Sequence, residues 1–121
     1  IFKNQEATSQ KIISSESASH ILDALRMVVE DGTGKTAKIK GFSVGGKTGT
    51  AHQTRTGSGY ADDLYIASFV GIAPLSDQSL TIFVSIENPG LNSYTGGAVA
   101  APVFAKIAES SLNHLGYFQD E

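Results

Sequence analysis

The run Lys47-Thr48-Gly49-Thr50 places a cation, two hydroxyls and a position without a side chain on one stretch that reads as extended chain. Those groups suit a small carboxylate. The ammonium supplies charge, the hydroxyls donate hydrogen bonds, and the glycine lets a ligand lie against the backbone. Four such residues also arise by chance as an exposed strand end with a glycine bulge, so the surroundings must decide. Other candidates are weaker. Gly32-Thr33-Gly34-Lys35-Thr36 has phosphate-loop character, but the first glycine of that pattern would fall on Val29, and a helix precedes it where a strand is required. It reads as a helix stop and turn. His20, His52 and His114 share no metal-ligand spacing. His52, just past the Lys-Thr run, reads as a solvated loop residue near the rim of any cleft there. A nucleophilic set can be written from Ser68, His52 and Asp62, but nothing singles out that serine.

The elements that must hold Lys47 to Thr50 follow from the apolar pattern. Ser14 to Ser17 open a helix of about residues 16–30, since a serine oxygen accepts an otherwise unpaired N–H and Glu16 suits the helix dipole. Ile21, Leu25 and Val28 recur at helical spacing, and Asp31-Gly32 with Gly34 end the run. Strands are expected over Phe42–Ala51, Tyr65–Ala73 and Leu80–Glu87, with 52–64 as a long polar connection. Residues 1–13, apolar at both ends, read as a ragged strand or two. A final helix over 98–115 carries Val99, Val103, Ile107 and Leu115 on one side, with Pro102 kinking its first turns or marking its true start. Connections without helices imply antiparallel pairing. The fold class is therefore α+β, an antiparallel sheet packed by helices.

The 121 residues are 40% hydrophobic and 17% charged, the profile of a folded domain, with a net charge of −3. No Lys/Arg cluster is present, so no nucleic-acid partner is expected. There is no cysteine, which removes disulfides and thiolate metal sites.

The setting of the Lys-Thr run carries a resemblance. Gly41-Phe42-Ser43-Val44-Gly45-Gly46-Lys47-Thr48-Gly49-Thr50-Ala51 resembles the G-Y-x-V-A-G-K-T-G-T-A of class B penicillin-binding proteins. K-T-G is the third signature of serine β-lactamases and penicillin-binding proteins, after S-x-x-K and S-x-N. Upstream, Val28-Val29-Glu30-Asp31-Gly32-Thr33-Gly34-Lys35 is similar to that family's V-V-x-x-G-T-G-K. Downstream, Ala67 to Pro74 resembles A-S-F-V-G-x-A-P, and Tyr94 to Phe104 resembles Y-x-G-G-x-V-A-A-P-V-F, nearest to the septal, cell-division members. The likeness covers nearly the whole chain in order.

The resemblance implies the C-terminal portion of the serine DD-peptidase/β-lactamase-like fold, with residues 1–121 as the C-terminal segment of one transpeptidase domain whose upstream part lies outside them. It implies that Lys47 bonds the serine of the S-x-N element and sets charge in the cleft. Thr48 and Thr50 hydroxyls, with Gly49 between them, would hold the carboxylate of a D-Ala-D-Ala stem peptide or of a β-lactam. The Thr50 N–H would be one of two oxyanion donors. Lys47 and Thr50 are thus the expected catalytic residues, Lys47, Thr48, Gly49 and Thr50 the substrate-binding ones, and no cofactor is implied. Tyr60 and Tyr94 would flank the cleft. Period-two alternation puts Lys47 and Gly49 on one face and Thr48 and Thr50 on the other, which leaves open how all of them reach one cleft.

The departures are as informative. S-x-x-K occurs nowhere in the chain; Thr8-Ser9-Gln10-Lys11 has its spacing without the serine, and Ser111-Leu112-Asn113 matches S-x-N only after K-T-G and in the last helix. Without a nucleophile there is no acyl-enzyme, so the chain alone is expected to be inactive. Expected partners are peptidoglycan stem peptides, β-lactams, the upstream part of the same domain, cell-division proteins and, for the isolated chain, a second copy. The expected location is the periplasmic or extracytoplasmic face of the membrane, anchored by an N-terminal segment absent from these residues. Rival readings are a β-lactamase or β-lactam sensor of the same fold, which the Y-x-G-G and A-A-P-V-F elements disfavour, and a non-catalytic peptide- or protein-binding module.

Overall fold

In the computed structural model, which describes residues 10–55, 59–90 and 92–117, helix α1 spans Ser15–Glu30. Its start is the serine cap: Ser14 Oγ accepts from the Ser17 N–H at 3.0 Å. Its end is the glycine turn, where the N–H groups of Gly32 and Gly34 both bond the Val28 carbonyl at 3.1 and 3.0 Å. A short 3₁₀ turn, Lys35–Ala37, follows.

Three antiparallel strands come next, β1 (Gly45–Arg55), β2 (Gly59–Ala73) and β3 (Leu80–Glu87), in the order β1-β2-β3. Lys47 lies opposite Val70, Gly49 opposite Ser68 and Thr50 opposite Ala67; Val70 in turn faces Phe83. The connection expected over 52–64 is mostly strand, since β1 and β2 extend toward each other past an irregularity between His52 and Thr54. Conversely, Phe42–Val44 precede the strand, with only an isolated bridge from Ile39 to Phe42. The strand expected within 1–13 lies outside the described residues over 1–9, and residues 10–13 are irregular.

The chain closes with a π turn, Gly96–Ala100, running into helix α2 (Ala101–His114) with Pro102 in its first turn. The π turn runs straight into the helix, the Ala101 N–H bonding the Gly96 carbonyl, so the proline, which has no N–H to give, sits where the ladder is already irregular. The face that α2 buries differs from the expected one. Helix α2 buries Ala101, Phe104, Ala108 and Leu112, while Val103, Ile107 and Leu115 are exposed. Helix α1 keeps most of the expected face, with Leu25 and Val28 half-buried beside the buried Val29 and Ile21 exposed. Both helices are apolar over more than one face, so periodicity alone does not choose between faces.

The core lies between α2 and the inner face of the sheet, centred on the fully buried rings of Phe69 and Phe104, 4.9 Å apart at 55°. Absent side chains make room for them. A carbon added at Gly46 would lie 2.8 Å from a Phe69 ring atom and 2.7 Å from the Val70 carbonyl oxygen, and one at Gly71 would strike the Phe104 ring. Phe69 thus marks the inner face, which Gly46, Thr48 and Thr50 share by alternation.

Candidate active site

Strand β1 is an edge of the sheet, so along one side its backbone groups have no strand partner among the described residues. Lys47 sits on this edge and is exposed, with no ion pair among the described residues. Its Nζ donates to the Thr48 carbonyl at 2.9 Å and lies 3.5 Å from Thr48 Oγ1. The contact answers the question that alternation raises. The Lys47 side chain leaves the outer face but folds back along the edge to its neighbour's carbonyl. That carbonyl points away from β2, and a period of two puts the Thr50 N–H on the same open edge.

The two threonine hydroxyls are held on the inner side. Thr48 Oγ1 lies 2.9 Å from Thr33 Oγ1, and Thr50 Oγ1 accepts from the Gly96 N–H at 3.2 Å. Around them is a hollow of about 460 Å³ lined by Thr33, Thr36, Thr48, Thr50, Thr95, Gly96 and Gly97. Thr36 Oγ1 donates to the Gly97 carbonyl, so the turn after α1 and the turn before α2 are tied together behind the strand. Hydroxyl and N–H groups line this hollow with an ammonium at its lip, a chemistry suited to an anion of carboxylate size.

Gly49 has its own reason to lack a side chain: an added carbon would run into the Ser68 hydroxyl directly opposite. At the far end of β1, His52 packs on Tyr65 with ring centroids 4.4 Å apart, and Tyr65 stacks on Tyr94 at 4.2 Å and 25°. His52 therefore belongs to a strand and an aromatic stack, not to a solvated loop. The set Ser68, His52 and Asp62 is not assembled. Ser68 pairs with Gly49 while His52 pairs with Tyr65, three positions along, and the side chains of Asp62 and Tyr60 lie outside the described residues.

Ser111 lines a groove with Leu80 and Ile82 of β3, at the opposite edge of the sheet from Lys47, so Ser111-Leu112-Asn113 does not reach the site. Thr8 lies outside the described residues. Among the described residues no cluster of His, Asp or Glu could hold a metal. Thr33, Thr36 and Thr95 were not marked by sequence reasoning. The first two sit inside the segment read as a helix stop, and their spacing carries no signal apart from the G-T-G element itself.

Residues 2–109 match the penicillin-binding protein transpeptidase domain. Stage V sporulation protein D of Bacillus subtilis is 41% identical over 94% of this chain, which spans 18% of that protein. A probable peptidoglycan D,D-transpeptidase PenA of Neisseria meningitidis is 39% identical over 95% of the chain and 20% of its own length. The apo transpeptidase domain of Burkholderia pseudomallei penicillin-binding protein 3 superposes with a TM-score of 0.84 at 35% identity, over all of this chain and 38% of that one. Penicillin-binding protein 3 of Mycobacterium tuberculosis in complex with aztreonam gives 0.76 at 32% identity, over 91% of this chain and 27% of that one. The chain belongs to the transpeptidase domain family of penicillin-binding proteins, and its fold is the penicillin-binding/β-lactamase-like α+β fold. It spans about a fifth of the length of these curated relatives.

Proposed function

We propose that this chain is the C-terminal segment of a serine D-Ala-D-Ala transpeptidase domain and supplies one wall of its active site. A serine from residues outside the 121 attacks the penultimate carbonyl of a D-Ala-D-Ala stem peptide. The carbonyl–nitrogen bond breaks, terminal D-Ala leaves, and the acyl group passes from the serine to an amine of a neighbouring stem. A β-lactam acylates the same serine. Lys47 bonds the serine of the S-x-N element and holds positive charge beside the attacking oxygen. Thr48 and Thr50 hydroxyls hold the ligand's carboxylate, and Gly49 lets it lie close to the strand. The Thr50 N–H stabilises the oxyanion, a role in which one lost donor costs about 10²–10³ in rate.

The observation that carries this reading is the Lys47 ammonium at 2.9 Å from the Thr48 carbonyl on an open strand edge, beside a hollow lined with hydroxyls. The aztreonam complex of the mycobacterial relative supports β-lactam binding. The peptidoglycan D,D-transpeptidase relative supports a cell-wall role; on this reading the protein acts at the outer face of the membrane, with stem peptides and cell-division proteins as partners.

The test is labelling of the full-length protein with a fluorescent penicillin, followed by mass mapping of the acylated residue. The expected product is a single acyl-serine in an S-x-x-K sequence upstream of Ile1, formed at least about a hundredfold more slowly in Lys47→Ala. A full-length protein that lacks S-x-x-K and S-x-N overturns the catalytic reading.

A further inference from the structure

We propose that Thr33, in the turn that ends α1, is a positioning residue for the carboxylate grip, acting through Thr48; the inference rests on Thr48 being a carboxylate donor. Thr48 Oγ1 has one proton to give. The Lys47 ammonium, 3.5 Å away, can only donate, so it does not take that proton. Thr33 Oγ1, at 2.9 Å, either accepts it or donates its own. Without a ligand the Thr48 proton rests on Thr33. With a carboxylate in the hollow the roles reverse: Thr33 donates to Thr48 Oγ1, and the Thr48 proton turns to the ligand. Because both groups are hydroxyls, neither state leaves an oxygen unpaired, and the Thr48 side chain keeps one rotamer in both.

Thr33 can act this way because its own place is fixed. Gly32 and Gly34 on either side bond the Val28 carbonyl at 3.1 and 3.0 Å, and the Ala37 N–H closes the turn onto Gly34 at 2.8 Å. Gly97 presses on the Thr33 carbonyl so closely that no side-chain carbon fits between them. The Thr36 hydroxyl bonds the Gly97 carbonyl. The end of helix α1, the strand edge and the start of α2 thereby meet around Thr33, its hydroxyl on Thr48 and its carbonyl against Gly97. Thr33 also lines the hollow itself.

The experiment uses the full-length protein and compares acylation by a penicillin with acylation by its methyl ester, which lacks the anion. Thr33→Val keeps the shape and removes the hydroxyl. The expected result is a rise of about three- to tenfold in the penicillin concentration giving half-maximal acylation rate, the range of one neutral hydrogen bond, with the limiting rate and the ester's constants unchanged. Equal losses on acid and ester, or no loss on either, overturn the role of Thr33 while leaving the transpeptidase reading in place. No acylation of the unmodified protein overturns both. If the valine variant does not fold, Thr33→Ser decides the matter: it retains the hydroxyl and is expected to retain the preference for the acid, and loss of that preference overturns the proposal.

Discussion

Gly96 lies directly over Gly49: a carbon added to Gly96 would sit 2.5 Å from the Gly49 carbonyl oxygen and closer still to that of Ser68. The turn before α2 therefore touches bare backbone of the β1–β2 ladder, and its N–H reaches Thr50 Oγ1 at 3.2 Å. Since the clash is with main-chain atoms, no rotamer change relieves it. Gly96→Ala must push the strand edge and the helix start apart. The expected cost is about 1–3 kcal/mol, the usual range for overpacking. Thr50 moves with the strand, so acylation by penicillin should slow in the same variant. Thermal melting and acylation kinetics of the full-length protein check both.

Lys47→Ala should separate chemistry from stability. The side chain is exposed and its ammonium bonds the neighbouring Thr48, so its removal leaves no buried charge behind. Stability is expected to stay within about 0.5 kcal/mol, as for surface substitutions generally. Acylation is expected to fall by about a hundredfold or more, the scale of one preorganised electrostatic donor. A melting temperature that drops together with activity would make Lys47 a structural residue instead.

The site was legible in the sequence where its chemistry is local. Lys47, Thr48, Gly49 and Thr50 are consecutive, and one strand edge presents them together, so type and spacing were sufficient. Thr33 and Thr36 belong to the same hollow but approach it from a turn well upstream, and the link lies in the tertiary structure, in the Thr33–Thr48 hydrogen bond and the packing of Gly97 against that turn. The buried face of α2 escapes the sequence for a related reason. Helix α2 is apolar on two sides, and what selects Phe104, Ala108 and Leu112 is the position of Phe69 on the sheet, which periodicity along α2 cannot encode. The cap at Ser14, the turn at Gly32 and Gly34 and the β3 limits were all legible because each is fixed by residues within a few positions.

Phe69 is where the inner face is most exposed to mutation. It is fully buried, contacts Phe104 and fills the space that Gly46 and Gly71 leave. Phe69→Ala should cost about 3–5 kcal/mol, because the backbone on either side cannot collapse into the cavity. Denaturant unfolding of the full-length protein, read at the transition of the transpeptidase domain, measures it.

Asp31 gives a pH-dependent term with a defined sign. A hydrogen bond from the Lys35 ammonium, at 2.9 Å, and its charge hold the Asp31 carboxyl below its ordinary value of 3.8. A carboxyl with a depressed folded value adds stability above its unfolded value, and that contribution is lost as pH falls through the folded value. The term is therefore present at neutral pH and disappears below about 3.8. The pair is fully open to solvent, so salt screens it and the effect is small. Asp31→Asn should lower the melting temperature slightly at pH 7 and by less at pH 2.5, below the ordinary value of 3.8. Equal shifts at both pH values would contradict the ion pair as the cause.

The outer face of the sheet predicts how the 121-residue chain behaves on its own. Val70 and Phe83 are a cross-strand pair on that face, and Phe83 is 66% exposed. Helix α1 covers the face only near Gly45, where Leu25 packs, and itself leaves Ile21 and Met27 open. Apolar surface gains about 25 cal/mol per Å² on leaving water. A few hundred Å² of such surface is thus worth several kcal/mol, comparable with the stability of a whole domain. The expected outcome is self-association, read as a sedimentation coefficient that rises with concentration. Val70→Thr with Phe83→Lys should shift the population toward monomer while the circular-dichroism spectrum holds, because neither side chain reaches the Phe69–Phe104 core. A wild-type chain that sediments as one stable monomer at every concentration would show that this face needs no cover.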